Sequence, residues 1–391
     1  MDSKHRLTGF LSTKLPKISF WVGLAGLLLS LIGYIQDSHH YFYSYLTAFM
    51  FFAGLSLSSM FLVLVQFLTR GGWGTVVRRI PEHFMKNIPL LAILFIPILF
   101  GFTDLYHWAD PHAIETDHLI QVKAPYLNKT FFIIRSALYF VVWLLIAKFF
   151  FRKSTEQDLL GGTEHTSDMQ KYSAISILGF ALTFSFASFD WVMSLNPHWY
   201  STIFGLYVFA NSTLVALCAT SLMYHILRKA GFLKDFVTIE HFHDLGKLTY
   251  GFIIFWTYIA FSQFFLIWYA NIPEETSWYL LRLTNNWEGF SYFLLIGHFI
   301  VPLFLFMSRH AKRNIPFNII MNIFIIIMCY FDFYYMIMPT ISKTFHFSFT
   351  DITCFIGIGG LFMALTFKRL RQYDLIPSKD PRLGESLHLE N

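Results

Sequence analysis

Charge is scarce in this chain. Asp, Glu, Lys and Arg together make 14% of its 391 residues, where a water-soluble domain carries about a quarter, so soluble-enzyme and disordered readings are poor from the start. Cysteine is scarcer still. Cys218, Cys329 and Cys354 stand alone in apolar stretches, with no CxxC, no CxxCH and no ferredoxin-like run. That argues against a disulfide scaffold, an iron-sulfur cluster or a c-type haem in this chain. Of 16 histidines only His298 sits well inside an apolar stretch, while His107 and His225 lie near the ends of theirs. A membrane b-type haem wants two facing histidines at one depth, so cytochrome b chemistry is disfavoured too.

What the chain has is apolar length. Its residues are 55% apolar and 20% aromatic, and runs of about 20 mostly apolar residues, bounded by charge, Pro or Gly, recur from end to end. Ten are expected, near 18–35, 42–68, 89–108, 130–151, 172–195, 200–227, 246–270, 289–308, 316–338 and 347–367. The fold class is therefore all-α integral membrane, with ten transmembrane helices. The first run has a basic flank, as a signal peptide would, but its end, Gly33-Tyr34-Ile35-Gln36-Asp37, offers no small-x-small cleavage site, so it is expected to stay as a helix.

Lys and Arg are enriched in cytoplasmic connections. With the N-terminus inside, the inner segments carry clusters such as Lys4, Arg6, Lys14 and Lys17, then Arg70, Arg78 and Arg79, while the outer ones hold only Lys123, Lys129, Arg282 and Lys343. Both termini should be cytoplasmic. The net charge of +5 is then mostly this bias and says nothing about nucleic acid.

An internal echo organises the chain. The fifth run ends Phe189-Asp190-Trp191 with Met193 and Pro197, and the ninth ends Phe331-Asp332-Phe333 with Met336 and Pro339. A fainter likeness links Trp108-Ala109-Asp110-Pro111 with Trp268-Tyr269-Ala270-Asn271-Ile272-Pro273. The paired runs share an orientation, which implies two parallel four-helix units, 42–199 and 200–346, flanked by an N-terminal segment and helix (1–41) and a tenth helix with its tail (347–391).

Ionisable residues inside spans are costly and usually face protein or water. Counted at about 1.5 Å per residue, Asp104 and Arg135 reach a similar depth on the third and fourth helices. They form either a structural ion pair or a proton-transfer site whose acid is tuned by the Arg. Asp190 and Asp332 lie in the outer third with no cation identifiable beside them. They serve either as helix pins bonded to Tyr, Trp or backbone, or as carboxyls that load and release a proton. His298 is either a buried neutral histidine or a relay. Tyr258, Ser262 and Gln263, with Thr257 and the hydroxyls Ser56, Ser58, Ser59, Thr183, Ser185 and Ser188, could join these acids into a path, though Ser and Thr also pack membrane helices. Most of the 47 Phe read as lipid-facing and packing surface.

The inner loop and seventh run read His243-Asp244-Leu245-Gly246-Lys247, then Phe261-Ser262-Gln263-Phe264-Phe265-Leu266-Ile267-Trp268-Tyr269-Ala270-Asn271-Ile272-Pro273-Glu274-Glu275-Thr276. This block resembles the smaller of two related membrane subunits of alternative complex III, the bacterial quinol:cytochrome c oxidoreductase, whose large membrane subunits belong to the NrfD-like, polysulphide-reductase-type family. Trp73 with Arg78-Arg79-Ile80-Pro81-Glu82, the segment Phe189-Asp190-Trp191-Val192-Met193-Ser194, and the tail Asp380-Pro381-Arg382-Leu383 with Glu385-Ser386-Leu387 support the likeness, which covers nearly the whole chain.

The resemblance implies a cofactor-free protein of two four-helix bundles in the bacterial inner membrane. Its expected neighbours are a homologous larger subunit, an iron-sulfur subunit, c-type cytochrome subunits and, as a further partner, a terminal oxidase. Menaquinone or ubiquinone, iron-sulfur clusters and c-type haems would belong to those partners, with quinol oxidised in the larger homologue. A proton-conducting or structural role falls to the smaller subunit, and the likeness assigns catalysis to no single residue. Two other readings stand beside it: a stand-alone proton-coupled secondary transporter, which would favour an inverted rather than a parallel repeat, and a purely structural anchor.

Overall fold

The computed structural model describes residues 6–284, 286–342 and 344–390; Lys4 and Lys343, used above for orientation, lie outside them. Ten helices among the described residues are long and apolar enough to cross a membrane. They are α1 (Leu15–Gln36), α2 (Ser38–Leu68), α3 (Val76–Phe100), α4 (Lys129–Leu160), α5 (Glu164–Leu195), α6 (Phe204–Lys229), α7 (Ile239–Ala270), α8 (Trp287–Leu305), α9 (Ile315–Thr340) and α10 (Phe349–Leu370). No strand occurs among the described residues. This is an all-α, multi-pass membrane protein.

Most helices run past the apolar windows that announce them, because polar first and last turns remain helical beyond the hydrocarbon. The third differs more. It begins at Val76 and ends at Phe100, not near residue 108, and it is built from short pieces, Arg79–Met85, Ile88–Leu94 and Ile96–Phe100. Pro81, Pro89 and Pro97 lack the N–H that a continuous ladder needs. Gly101 then lies so close to the Phe42 ring that an added Cβ would sit 2.1 Å from a ring carbon. Only glycine fits there, and the chain turns.

Burial shows which helices make the core. In α2 and α6, 83% and 78% of the apolar window is buried, against 28% in α7 and in α8. The two central helices pack on each other, with Gly54 against Ser212 and Thr213 Oγ1 3.3 Å from Ser58 Oγ. Around this axis α2 also touches α3, α5, α9 and α10, and α6 touches α5, α7 and α9. At the edge α1 lies on α10 through Gly23 and Gly26 facing Gly357 and Gly360, where missing side chains let the backbones approach.

The first described residues and the segment after α10 fall at one end, where Arg6 pairs with Asp374 at 3.1 Å. From there the tail folds back under the helices. Asp380 pairs with Arg78 at 3.0 Å, and Ser386 meets the Val76 N–H at 3.2 Å and His241 Nε2 at 3.1 Å. At the opposite, far end sit the turns after α3, α5, α7 and α9, and with them the acids of interest.

Candidate functional site

Asp190 is the second-to-last residue of the regular part of α5, which ends at Trp191, and is fully buried. Its carboxylate is gripped by α4: Arg135 Nε donates to Oδ2 at 2.8 Å, Nη2 to Oδ1 at 2.9 Å, and the Tyr139 hydroxyl to Oδ2 at 2.7 Å. Arg135 is itself fixed. Its Nη1 donates to the Tyr126 carbonyl at 2.8 Å, and its guanidinium lies over the Tyr126 and Phe131 rings at 3.8 and 4.3 Å. Two parallel N–H···O bonds plus aromatic faces make a rigid, charge-compensated pair.

This overturns the expected pairing of Arg135 with Asp104, and the expectation that Asp190 has no cation. Asp104 lies beyond the end of α3, in the short helix Phe102–Leu105, because the prolines and Gly101 end the crossing early. There it is partly exposed, with Ser38 Oγ at 3.2 Å and His39 Nδ1 at 3.5 Å. It belongs to the far-end surface.

Asp332 holds the corresponding place on α9, also fully buried, but its partners are neutral. The Tyr207 hydroxyl of α6 donates to Oδ1 at 2.6 Å and the Trp256 indole N–H of α7 to Oδ2 at 2.8 Å. Among the described residues no cation pairs with it. The Trp256 indole stacks on His298 with ring centroids 3.9 Å apart. His298 sits in a π-helical turn, Leu295–Ile300, a backbone irregularity that recurs at functional sites. Its Nε2 is 3.6 Å from Cys329 Sγ, and its Nδ1 has no partner among the described residues.

Beside this group a cleft of about 750 Å³ opens between α7 and α8. Its wall is almost wholly apolar and aromatic, and Asp332, Tyr207 and Trp256 line it. Tyr258, expected on an inner polar path, instead lines this cleft with 64% of its surface exposed. Ser262 is half-buried. Gln263 is buried and bridges Ser201 at 3.1 Å and the Tyr279 hydroxyl at 3.2 Å.

The other hydroxyls largely turn back on helix backbone. Ser59, Ser188 and Thr257 donate to the carbonyls of Leu55, Phe184 and Ile253, and Ser56 to that of Phe84. These are packing contacts of membrane helices.

Two groups escaped the sequence reading. Arg282, placed there in a loop, is fully buried. It lies over the Trp278 ring at 3.4 Å and donates to the carbonyls of Trp278, Tyr335 and Met336 at 2.9–3.0 Å. Burial lowers its pKa to about 10, so the side chain stays charged at neutral pH. At the terminal end Glu82 binds Arg78, Arg79 and Ser154, while Arg79 also pairs with Asp158. The i,i+4 and i,i+3 spacings of Arg78 and Arg79 to Glu82 were visible signals for that cluster. Compared with known proteins, the chain matches no protein-family model and no curated sequence.

Proposed function

We propose that the chain is a cofactor-free, multi-pass subunit of a bacterial respiratory quinol:electron-acceptor oxidoreductase of the alternative complex III kind. In this reading it conducts protons and braces the complex beside a homologous subunit that oxidises quinol. Iron-sulfur clusters, c-type haems and the quinone belong to the partners. The bilayer is the bacterial plasma membrane, with the terminal end in the cytoplasm, as the Lys and Arg bias favours.

The observation that carries the reading is Asp332. A buried carboxyl bonded only by neutral donors is not committed to its charged form by a fixed cation, so it can change protonation without breaking an ion pair. Asp190 is so committed by Arg135. Two acids at matching points of two bundles thus divide the work: Asp332 moves the proton and Asp190 pins the helices.

The test is the ratio of protons moved to electrons transferred by the intact complex in sealed vesicles. Asp332→Asn should lower the ratio in a complex that still assembles. An unchanged ratio would reduce Asp332 to a structural pin and the subunit to a scaffold.

A further inference from the structure

The cleft between α7 and α8 asks what fills it. Its α7 wall runs from Ile254 to Phe264, ten residues or about 15 Å of helix, so it is long rather than round. Along that length the wall offers Ala260, Phe264, Leu295, Phe299 and Leu303. Water there would need two to four polar partners, and the middle of the wall supplies few. Its mouth is open to the side, since Phe261, Tyr292 and Leu295 are 49–60% exposed. In a bilayer that side is hydrocarbon, and an empty apolar slot would forfeit the dispersion contacts of its lining.

The charge at the rim narrows the occupant. Among the described residues no Lys or Arg lines the cleft. The far-end rim is marked by Glu288, exposed at the start of α8 and joined to the lining residue Tyr292, whose hydroxyl donates to Oε1 at 3.4 Å. The nearby guanidinium of Arg282 is buried behind Trp278 and Tyr335 and bonded to three backbone carbonyls, so an anionic head finds no accessible counter-charge, whereas an ammonium finds the exposed carboxylate of Glu288.

We propose that the cleft seats one acyl chain of an amine-headed bilayer phospholipid, with its ammonium at Glu288 and its chain running inward past Tyr292 to the wall beside Asp332. The chain closes the lateral face of the cleft and keeps water from reaching Asp332 through the bilayer side. That consequence rests on the reading of Asp332 as a proton carrier; the seat itself does not.

Native mass spectrometry of the complex, transferred from nanodiscs of equal phosphatidylethanolamine and phosphatidylglycerol, reads the seat directly. Native protein should retain about one phosphatidylethanolamine on this chain, and Ala260→Trp, which fills the slot, should lower retention roughly tenfold. Glu288→Gln changes an exposed side chain and leaves the slot intact. It should keep a lipid but lose the preference for the amine head. No retained lipid in the native protein, full retention in Ala260→Trp, or an isoprenoid quinone in place of the phospholipid would each overturn the seat. An unchanged preference in Glu288→Gln would overturn the placement of the head. If Asp332→Asn leaves the proton ratio unchanged while the lipid is still counted, the proton reading fails and the seat stands.

Discussion

Arg135 closes on Asp190 with two nitrogens, Nε to Oδ2 at 2.8 Å and Nη2 to Oδ1 at 2.9 Å. Asp332, which shares the Phe-Asp-aromatic echo of the sequence, receives a phenol and an indole instead. One position is electrically closed and the other open, although both are fully buried. A similar local sequence around the two acids therefore coexists with chemical asymmetry.

The closed position makes the first prediction. Breaking a buried ion pair by removing one partner strands the other charge and costs about 3–5 kcal/mol. Arg135→Gln should therefore lower thermal stability strongly and impair assembly. Asp190→Asn should do the same, since it leaves the guanidinium unpaired behind Tyr126. Asp104→Asn touches a partly exposed carboxyl with Ser38 and His39 as neighbours and should stay within about 0.5 kcal/mol of the native protein. Melting curves of the three purified variants rank them, and an Asp104 variant as unstable as Arg135→Gln would contradict the pairing.

Arg282 is the second case. Its guanidinium caps three carbonyls, two of them on the last turns of α9 just beyond Asp332. Lysine has a charge but no planar fork to reach three acceptors or to lie flat on Trp278. Arg282→Lys should therefore behave nearly as badly as Arg282→Ala, with a loss of roughly 2–4 kcal/mol from the unsatisfied buried carbonyls and lost packing. Equal stability of Arg282→Lys and native protein in chemical unfolding would show that charge alone suffices.

The number and places of the crossings were legible because twenty-residue apolar runs have few alternatives in a bilayer. Asp190 and Asp332 were legible as the acids to watch because buried charge is rare. Their partners were not. Counting residues gives depth along a helix but not the direction a side chain faces, so Arg135 and Asp104 seemed matched until the break at Gly101 took Asp104 out of α3. Arg282 was missed for the opposite reason: it lies in a polar-looking stretch, Pro273–Arg282, that folds inward as a short helix. Tyr258 was placed on an inner path because it is a polar side chain close to Ser262 and Gln263, yet α7 is mostly peripheral and turns that phenol outward.

A pH effect is expected at the far end. Asp117 caps the short helix His118–Lys123. Partial burial works against its charge, but the N–H groups of Ile120 and Leu119, with His198 beside it, outweigh this and hold the carboxyl below its usual value of 3.8. A folded-state pKa that is depressed gives stability present above the unfolded value and lost as pH falls through the folded one. The cap should thus hold at neutral pH and open only in strong acid. Hydrogen exchange at Leu119 and Ile120, corrected for intrinsic rates, should show protection falling below pH 3.8. Asp117→Asn should have weaker protection already at neutral pH, and protection that ignores both changes would remove the capping role.

His298 separates a relay from a support. A relay must exchange protons, and its ring nitrogens are the only groups that can do so. A support needs only the flat ring that holds the Trp256 indole 3.9 Å away with its N–H aimed at Asp332. The face-to-face stacking on an indole that is itself bonded to Asp332 favours the support. His298→Phe keeps an aromatic face and loses both nitrogens, whereas His298→Ala loses the face as well and opens a cavity. In the proposed respiratory complex, the support role predicts that His298→Phe retains most turnover and the native ratio of protons to electrons. His298→Ala should lower both, because the indole is free to swing and the Trp256 bond to Asp332, worth about 1.5–3 kcal/mol to a charged acceptor, weakens. Equal and severe loss in both variants would make the imidazole a proton carrier in its own right and extend the path from Asp332 toward the π-helical turn of α8.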